Sequence, residues 1–372
     1  MSIPILLMAR ELHLGGSERQ MTEIARNLTQ TGFAPHVGCF RTGGLRFEEL
    51  RATKVPVVRF KIDSYFSLDA VTGLADFVRY VRVNGIRIVH AWDYPTAVSI
   101  VPATRLFTRA IAISSQRGHR ELIPKLYRRL TRISDRFTHG IIVNCEFLRR
   151  HVIEDDQVPE RKVRVCYNGV DLQRFRRLAG PKPPPLQNSS LVIGTVCSLR
   201  AEKDLGTLID AFARVRFRRD GMMLVVVGSG PELGGLLEHA ARAGIRDACH
   251  FEPATPEIDR WLSAMDVFVL PSRSEAFSNA LMEAMACGCC VIASNVGGNP
   301  ELVHSGENGL LFPPGDVGAL ADSVGQAIEN PELRERLARQ GESHVRENSS
   351  IEQAAVNIAK IYSDFLHQPI RG

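Results

Sequence analysis

The chain has 372 residues, 44% of them hydrophobic and 23% charged, with a net charge of +5. That length exceeds one ordinary core and is comfortable for two, and the composition is that of a soluble globular protein. No stretch approaches the roughly 20 uninterrupted apolar residues of a membrane span.

The charge is uneven. Residues 1–175 hold 27 Lys and Arg against 17 Asp and Glu, and the remainder holds 19 against 24. A basic first half and an acidic second half indicate two bodies with different partners, and nucleic acid, a membrane surface or an anionic acceptor fits the charge equally well. The eight cysteines show no metal-ligand spacing, and five sit singly in apolar runs, so the expected compartment is reducing and cytoplasmic. The short apolar run at the start lacks a basic leader and a cleavage site, and reads as a first strand.

Strand-length apolar runs fall at 3–9, 35–40, 55–60, 87–91, 110–115, 140–145 and 162–167. Helix-length periodic segments separate most of them, at 17–31, 68–84, 121–137 and 146–155. This alternation predicts a parallel sheet covered by helices on both faces. Residues 176–190 then hold four prolines in the five positions 181–185, which fit neither a helix nor a central strand and read as an extended linker. The alternation restarts with strands at 191–198, 223–228, 248–252, 267–271 and 291–294 and helices at 205–219 and 232–243, and 317–366 is almost wholly helical. The expected architecture is α/β, two doubly wound Rossmann-like domains facing a cleft. Residues 1–175 form the first, 176–190 the linker and 191–350 the second, with 351–372 returning to the first.

Chemistry concentrates in Glu275-Ala-Phe-Ser-Asn-Ala-Leu-Met-Glu283. It follows an apolar strand and opens a helix predicted over 279–287. Backbone N–H groups of Phe277, Ser278 and Asn279 at the start of that helix are suited to phosphate. Glu275 and Glu283 flank it as hydrogen-bond acceptors for hydroxyls. A plain strand–turn–helix with acidic residues favouring the helix dipole is the competing reading.

The stretch from Pro271 to Glu301 resembles the E-x7-E region of family 4 of the retaining glycosyltransferases, which have the GT-B fold. The similarity runs over nearly the whole chain, through GGSER at 15–19, NGVD at 168–171, LRAEKD at 199–204 and VGSGPE at 227–232. It implies that Glu283 binds the ribose of a nucleotide, that Glu275 lies against the transferred sugar, and that the amides after it hold sugar hydroxyls and phosphate oxygens. It also implies that Gly16 lies near the donor diphosphate, with Gly228 on the donor side. GGSER is not GxGxxG, so it supports dinucleotide binding poorly; as a plain turn capped by Ser17 it also makes sense.

Lys203 follows the first strand of the second half, where a cation can neutralise a leaving diphosphate. The family often has an Arg–Lys pair there; here the usual Arg position is Ser198, and Arg200 lies two residues on. The family's His after the fifth strand matches Gln116 or Arg117, with His119 just beyond, and both Arg117 and His119 stand as catalytic candidates beside the reading of an unremarkable loop. His90 is placed either to face the cleft or to pack beside Trp92. The basic segment 117–136, with Leu122, Leu126, Leu130 and Ile133 at helical spacing, reads either as a contact for anionic phospholipid or a pyrophosphate-linked acceptor, or as a solvated face beside a basic acceptor cleft.

The expected activity is hexosyl transfer from a UDP- or GDP-sugar to a hydroxyl of a glycan, lipid-linked or small-molecule acceptor. The resemblance implies retention, and the want of a DxD-type metal site predicts metal independence, with the nucleotide sugar a substrate and no cofactor. A nucleotide-sugar epimerase of the same fold and a non-catalytic basic binding protein are the alternatives. No aromatic RNA-binding module is recognisable, so nucleic acid is not an expected partner.

Overall fold

The computed structural model describes residues 2–13, 15–62 and 68–367. Residues 368–372 of the expected C-terminal return lie outside these. The chain divides into two compact units, residues 1–169 with 351–372, and residues 170–350.

In the first unit the strands are β1 (Ile3–Ala9), β2 (Phe33–Cys39), β3 (Val57–Arg59), β4 (Ile88–Ala91), β5 (Ile111–Gln116), β6 (Gly140–Val143) and β7 (Val163–Val165). The helices are α1 (Gly16–Leu28), α2 (Leu45–Arg51), α3 (Leu68–Val83), α4 (Tyr94–Phe107), α5 (Lys125–Phe137) and α6 (Glu146–Glu154), with α14 (Ile351–His367) from the far end of the chain. The strands pair in parallel in the order β3-β2-β1-β4-β5-β6-β7. Alternation along β1 feeds two cores, since successive side chains leave a strand on opposite faces. Ile5 and Leu7 join Ile358, Tyr362 and Phe365 of α14, whereas Leu6 and Met8 join Phe60 and Phe77.

The second unit has β8 (Leu191–Val196), β9 (Met222–Val227), β10 (Cys249–Glu252), β11 (Val267–Leu270), β12 (Cys290–Ser294) and β13 (Leu310–Phe312). Its helices are α7 (Leu205–Val215), α8 (Leu233–Arg242), α9 (Ile258–Ala264), α10 (Asn279–Ala286), α11 (Asn299–Leu302), α12 (Val317–Glu329) and α13 (Pro331–Asn348). The parallel order is β10-β9-β8-β11-β12-β13. Both sheets therefore reverse direction of growth beside their first strand, between β1 and β4 and between β8 and β11. Doubly wound sheets bind ligands at the carboxyl ends of the strands on either side of that reversal.

Several expected elements differ. The helix predicted over 121–137 begins at Lys125, because Pro124 disfavours helical backbone before it and occupies the cap. The helix predicted to reach Arg219 ends at Val215 and continues only as a short 3-10 turn, Arg216–Arg218. The change of unit falls after Gly169, so the proline stretch is counted with the second unit. Leu186 is fully buried at the end of a 3-10 turn, so apolar burial anchors the segment to the second unit.

Candidate active site

In the second unit the carboxyl ends of β8 and β11 carry two loops tied to one another. Arg273 N–H donates to the Glu202 carbonyl at 2.8 Å, and Arg273 Nε lies 3.0 Å from Asp204 Oδ2. Asp204 holds a left-handed backbone, φ +49°, and its carboxylate accepts from Thr207 Oγ1 at 2.9 Å. A non-glycine residue in that region costs about 1 kcal/mol or more, strain that clusters at functional loops.

These ties bring Lys203 and Glu275, 72 residues apart, into an ion pair in which the Lys203 ammonium donates to Glu275 Oε1. Ser272 Oγ donates to the same carboxylate oxygen at 2.8 Å. Ser272 is fully buried, and its carbonyl accepts from Ser294 Oγ at 2.6 Å. Burial alone would lower the Lys203 pKa, but the charge and hydrogen bond of Glu275, with Cys197 and Glu202, carry it above its ordinary value. Lys203 is thus held as a cation beside the sheet's reversal point.

The loop after Glu275 is shaped by glycine. Gly297 has φ +57°, and a β-carbon there would lie 1.8 Å from the Glu275 carbonyl oxygen. Gly298 N–H donates to the Ala276 carbonyl at 2.7 Å. Backbone therefore packs directly on backbone, which only glycine permits. Phe277 and Ser278 are buried. Ser278 caps α10, its hydroxyl accepting from Leu281 N–H at 3.3 Å, a use of the side chain that the sequence reading did not foresee. Asn279 is the first residue of α10, and Glu283 on that helix is 2% exposed. Gly228, φ +153°, is held against β8's exit, where a β-carbon would lie 1.9 Å from the Cys197 carbonyl. Arg200 is not part of this cluster: its side chain is 64% exposed and, among the described residues, pairs only with Glu202, at 4.0 Å.

In the first unit, the corresponding edge is built around Trp92. Its backbone N–H donates to the Met8 carbonyl at 2.7 Å, and its indole N–H donates to the Ser17 carbonyl at 3.0 Å. Asp93 caps α4, accepting from Thr96 N–H, and takes the Arg10 N–H at 2.8 Å, so it clasps the ends of β1 and β4. Arg117, leaving β5, stacks its guanidinium 3.8 Å from the Trp92 ring centre and donates to Asn168 Oδ1 at 2.7 Å. Burial lowers its pKa to about 10.

His119 goes elsewhere. Its ring lies 4.0 Å from that of His151 and 5.9 Å from Phe147, both on α6. Burial and then the His151 charge lower its pKa. His90 is fully buried, with Nδ1 2.7 Å from the Tyr362 hydroxyl and Nε2 2.8 Å from Ser115 Oγ. Of the two placements read from sequence, it takes the packed one. Gly16 is exposed at the start of α1. The Glu18 carboxylate folds back against Gly15, where a β-carbon would lie 2.0 Å from it, and burial raises its pKa. The anion at this helix end is the chain's own.

Ser272, Ser294, Asp93 and Asn168 escaped the sequence reading as site residues. Serines after a strand carry no spacing signal, and Asp93 could have been found as an N-cap three residues before Thr96. Among the described residues no group of three or more His, Cys, Asp or Glu side chains is arranged to hold a metal ion.

Two doubly wound parallel sheets, with polar clusters at their carboxyl edges, define a GT-B protein. Anabaena HepE, solved with UDP and glucose, has the same fold at TM-score 0.85 and 22% identity, over 97% of this chain and all of that one. The chain also matches two family profiles, "Glycosyltransferase Family 4" over residues 14–174 and "Glycosyl transferases group 1" over 180–344. It belongs to this glycosyltransferase family. The N-acetyl-alpha-D-glucosaminyl L-malate synthase of Bacillus anthracis is 25% identical over 381 residues, 96% of each chain. A D-inositol 3-phosphate glycosyltransferase of Streptomyces bingchenggensis is 31% identical over 250 residues, 62% of this chain and 53% of that one.

Proposed function

We propose that this glycosyltransferase moves a hexosyl unit from a UDP-sugar to an acceptor hydroxyl with retention at the anomeric carbon and without a metal ion. The observation that carries the reading is the Lys203–Glu275–Ser272 cluster beside the reversal point of the second sheet. A fixed cation there meets the charge that grows on a departing diphosphate, and the dipole of α10 adds to it. These positive groups take the place that a divalent ion fills in other transferases, and this supports metal independence. UDP is favoured over GDP because HepE was solved with UDP and with UDP-glucose.

In this reading the bond from the anomeric carbon to the β-phosphate oxygen breaks, and the acceptor oxygen bonds to the same face of that carbon. The acceptor proton passes to the leaving phosphate. On this reading Glu275, shared between Lys203 and Ser272, accepts from sugar hydroxyls, and Glu283 accepts from the ribose. Arg117, half-buried and stacked on the buried Trp92 ring, supplies a cation for an acceptor in the first unit.

Incubating the purified protein with a panel of UDP- and GDP-sugars and measuring released nucleoside diphosphate, with and without chelator, tests this. UDP release that is unaffected by chelator is the expected result. Absence of stabilisation by any nucleotide would sink the transferase reading, and interconversion of the donor without UDP release would favour the epimerase.

A further inference from the structure

Helix α5 is inverted relative to an ordinary surface helix. Its buried residues are polar: Thr131, Ser134 and Asp135. Ser134 Oγ donates to the Ala97 carbonyl at 2.6 Å, Thr131 Oγ1 donates to the Tyr127 carbonyl at 2.8 Å, and Asp135 forms an ion pair with Arg120 at 2.7 Å. Phe137 at the helix end packs on the core and Leu130 is half-buried, but three apolar residues of the segment face out. Leu126 is 58% exposed, Ile133 52%, and Leu122 in the preceding turn 57%. Globular helices bury the apolar stripe and expose the polar one, so these side chains fill no place in the core.

The same face is basic. Leu126, Arg129, Ile133 and Arg136 recur three and four residues apart and so stand in one row. Lys125, Arg129 and Arg136 are exposed and form no ion pair among the described residues. Arg132 is spoken for by Asp156 at 3.2 Å. Positive charge without counter-ions excludes a second copy of the same face as its cover, because the two would repel. A bilayer bearing anionic headgroups offers both what the cations lack and what the leucines lack.

We propose that the exposed face of α5, with Leu122 before it, docks the protein on an anionic phospholipid surface. Leu122, Leu126 and Ile133 enter the headgroup–acyl boundary while Lys125, Arg129 and Arg136 meet lipid phosphates. The chain then lies on the membrane: among the described residues no helix is long and apolar enough to cross one.

The test is co-sedimentation of the full chain with vesicles of equal parts phosphatidylglycerol and phosphatidylcholine, and with vesicles of phosphatidylcholine alone. The wild type should pellet with the first and not the second. Raising salt from ~0.05 M to ~0.5 M should release most of it, since screening shortens the reach of exposed charges. K125Q/R129Q/R136Q and, separately, L126Q/I133Q should each weaken binding at least tenfold. Neither pair of changes touches the buried side of α5, and unchanged thermal unfolding verifies that both variants fold. Failure of the wild type to pellet, or equal binding to both vesicles, overturns the proposal. Full retention by L126Q/I133Q also overturns it, and would assign the basic row to a soluble anionic partner.

Discussion

His90 on β4 and Tyr362 on α14 stand 272 residues apart in the chain and 2.7 Å apart in the structure, both fully buried. The other imidazole nitrogen meets Ser115 on β5. The bond is a polar rivet between the sheet and the returning C-terminal helix, whose Ile358, Tyr362 and Phe365 complete the same core. Tyr362→Phe removes the hydroxyl and strands His90 Nδ1. The expected loss is ~1–3 kcal/mol of stability, read by denaturant unfolding. A chain ending at Ser350 loses that helix's whole apolar face and is expected not to fold.

Burial, with Arg117 nearby, holds the His90 pKa well below 6.5, and burial also lowers His36, His119, His139 and His344. The folded state therefore resists a proton that the unfolded state accepts. Stability is at its full value above ~6.5 and declines as pH falls below it, with the fully buried His90 contributing up to ~1.4 kcal/mol per pH unit. Thermal melts from pH 8 to pH 5, using ~0.5-unit steps, should show this decline. His90→Asn should be less stable at pH 8 but have a shallower slope below pH 6.5; an unchanged slope removes His90 from the linkage.

Lys203→Met leaves the Glu275 carboxylate with only Ser272, and on the proposed mechanism removes the cation facing the leaving diphosphate. Turnover should fall ~10²–10³-fold, with donor KM changing far less, as for loss of one transition-state charge contact. Lys203→Arg keeps the charge and should recover part of it. A variant whose turnover is unchanged would take Lys203 out of the chemistry.

Glu283 is buried on α10 rather than presented on a surface. Glu283→Ala should weaken UDP binding by ~10–100-fold in calorimetry, the equivalent of one or two charged hydrogen bonds. Unaltered UDP affinity would remove it from the nucleotide site.

Glycines separate into two kinds. Gly297→Ala drives a β-carbon into the Glu275 carbonyl from a positive φ. It should cost several kcal/mol or displace Glu275, with activity falling along with the melting temperature. Gly234 and Gly235 in the first turn of α8 have nothing within 4 Å of a β-carbon. Alanine at either should leave activity alone and raise stability by ~0.5–1 kcal/mol.

The sheets were legible because each buried strand is a short apolar run between turn residues, as in β1, where the expected and observed limits coincide at Ile3–Ala9. Helix α4 was not read. It carries Pro95 and Pro102 and a run of β-branched residues, local signals against a helix that its Asp93 cap and its packing between β4 and β5 override. The family was equally legible, since a motif such as the stretch from Glu275 to Glu283 needs only nine consecutive residues to be in register.

What no local pattern could carry was pairing across the chain. Lys203 reaches Glu275, and His90 reaches Tyr362, only because parallel crossovers return distant loops and a distant helix to the same sheet edge or face. Periodicity on α5 likewise showed a stripe of leucines without saying which way it turned. That was decided by the partners on its other side, Arg120 and the Ala97 carbonyl, which claim Asp135 and Ser134. The sequence determined the elements and the family; the tertiary structure decided which polar groups satisfy one another, and so which apolar ones were left outside.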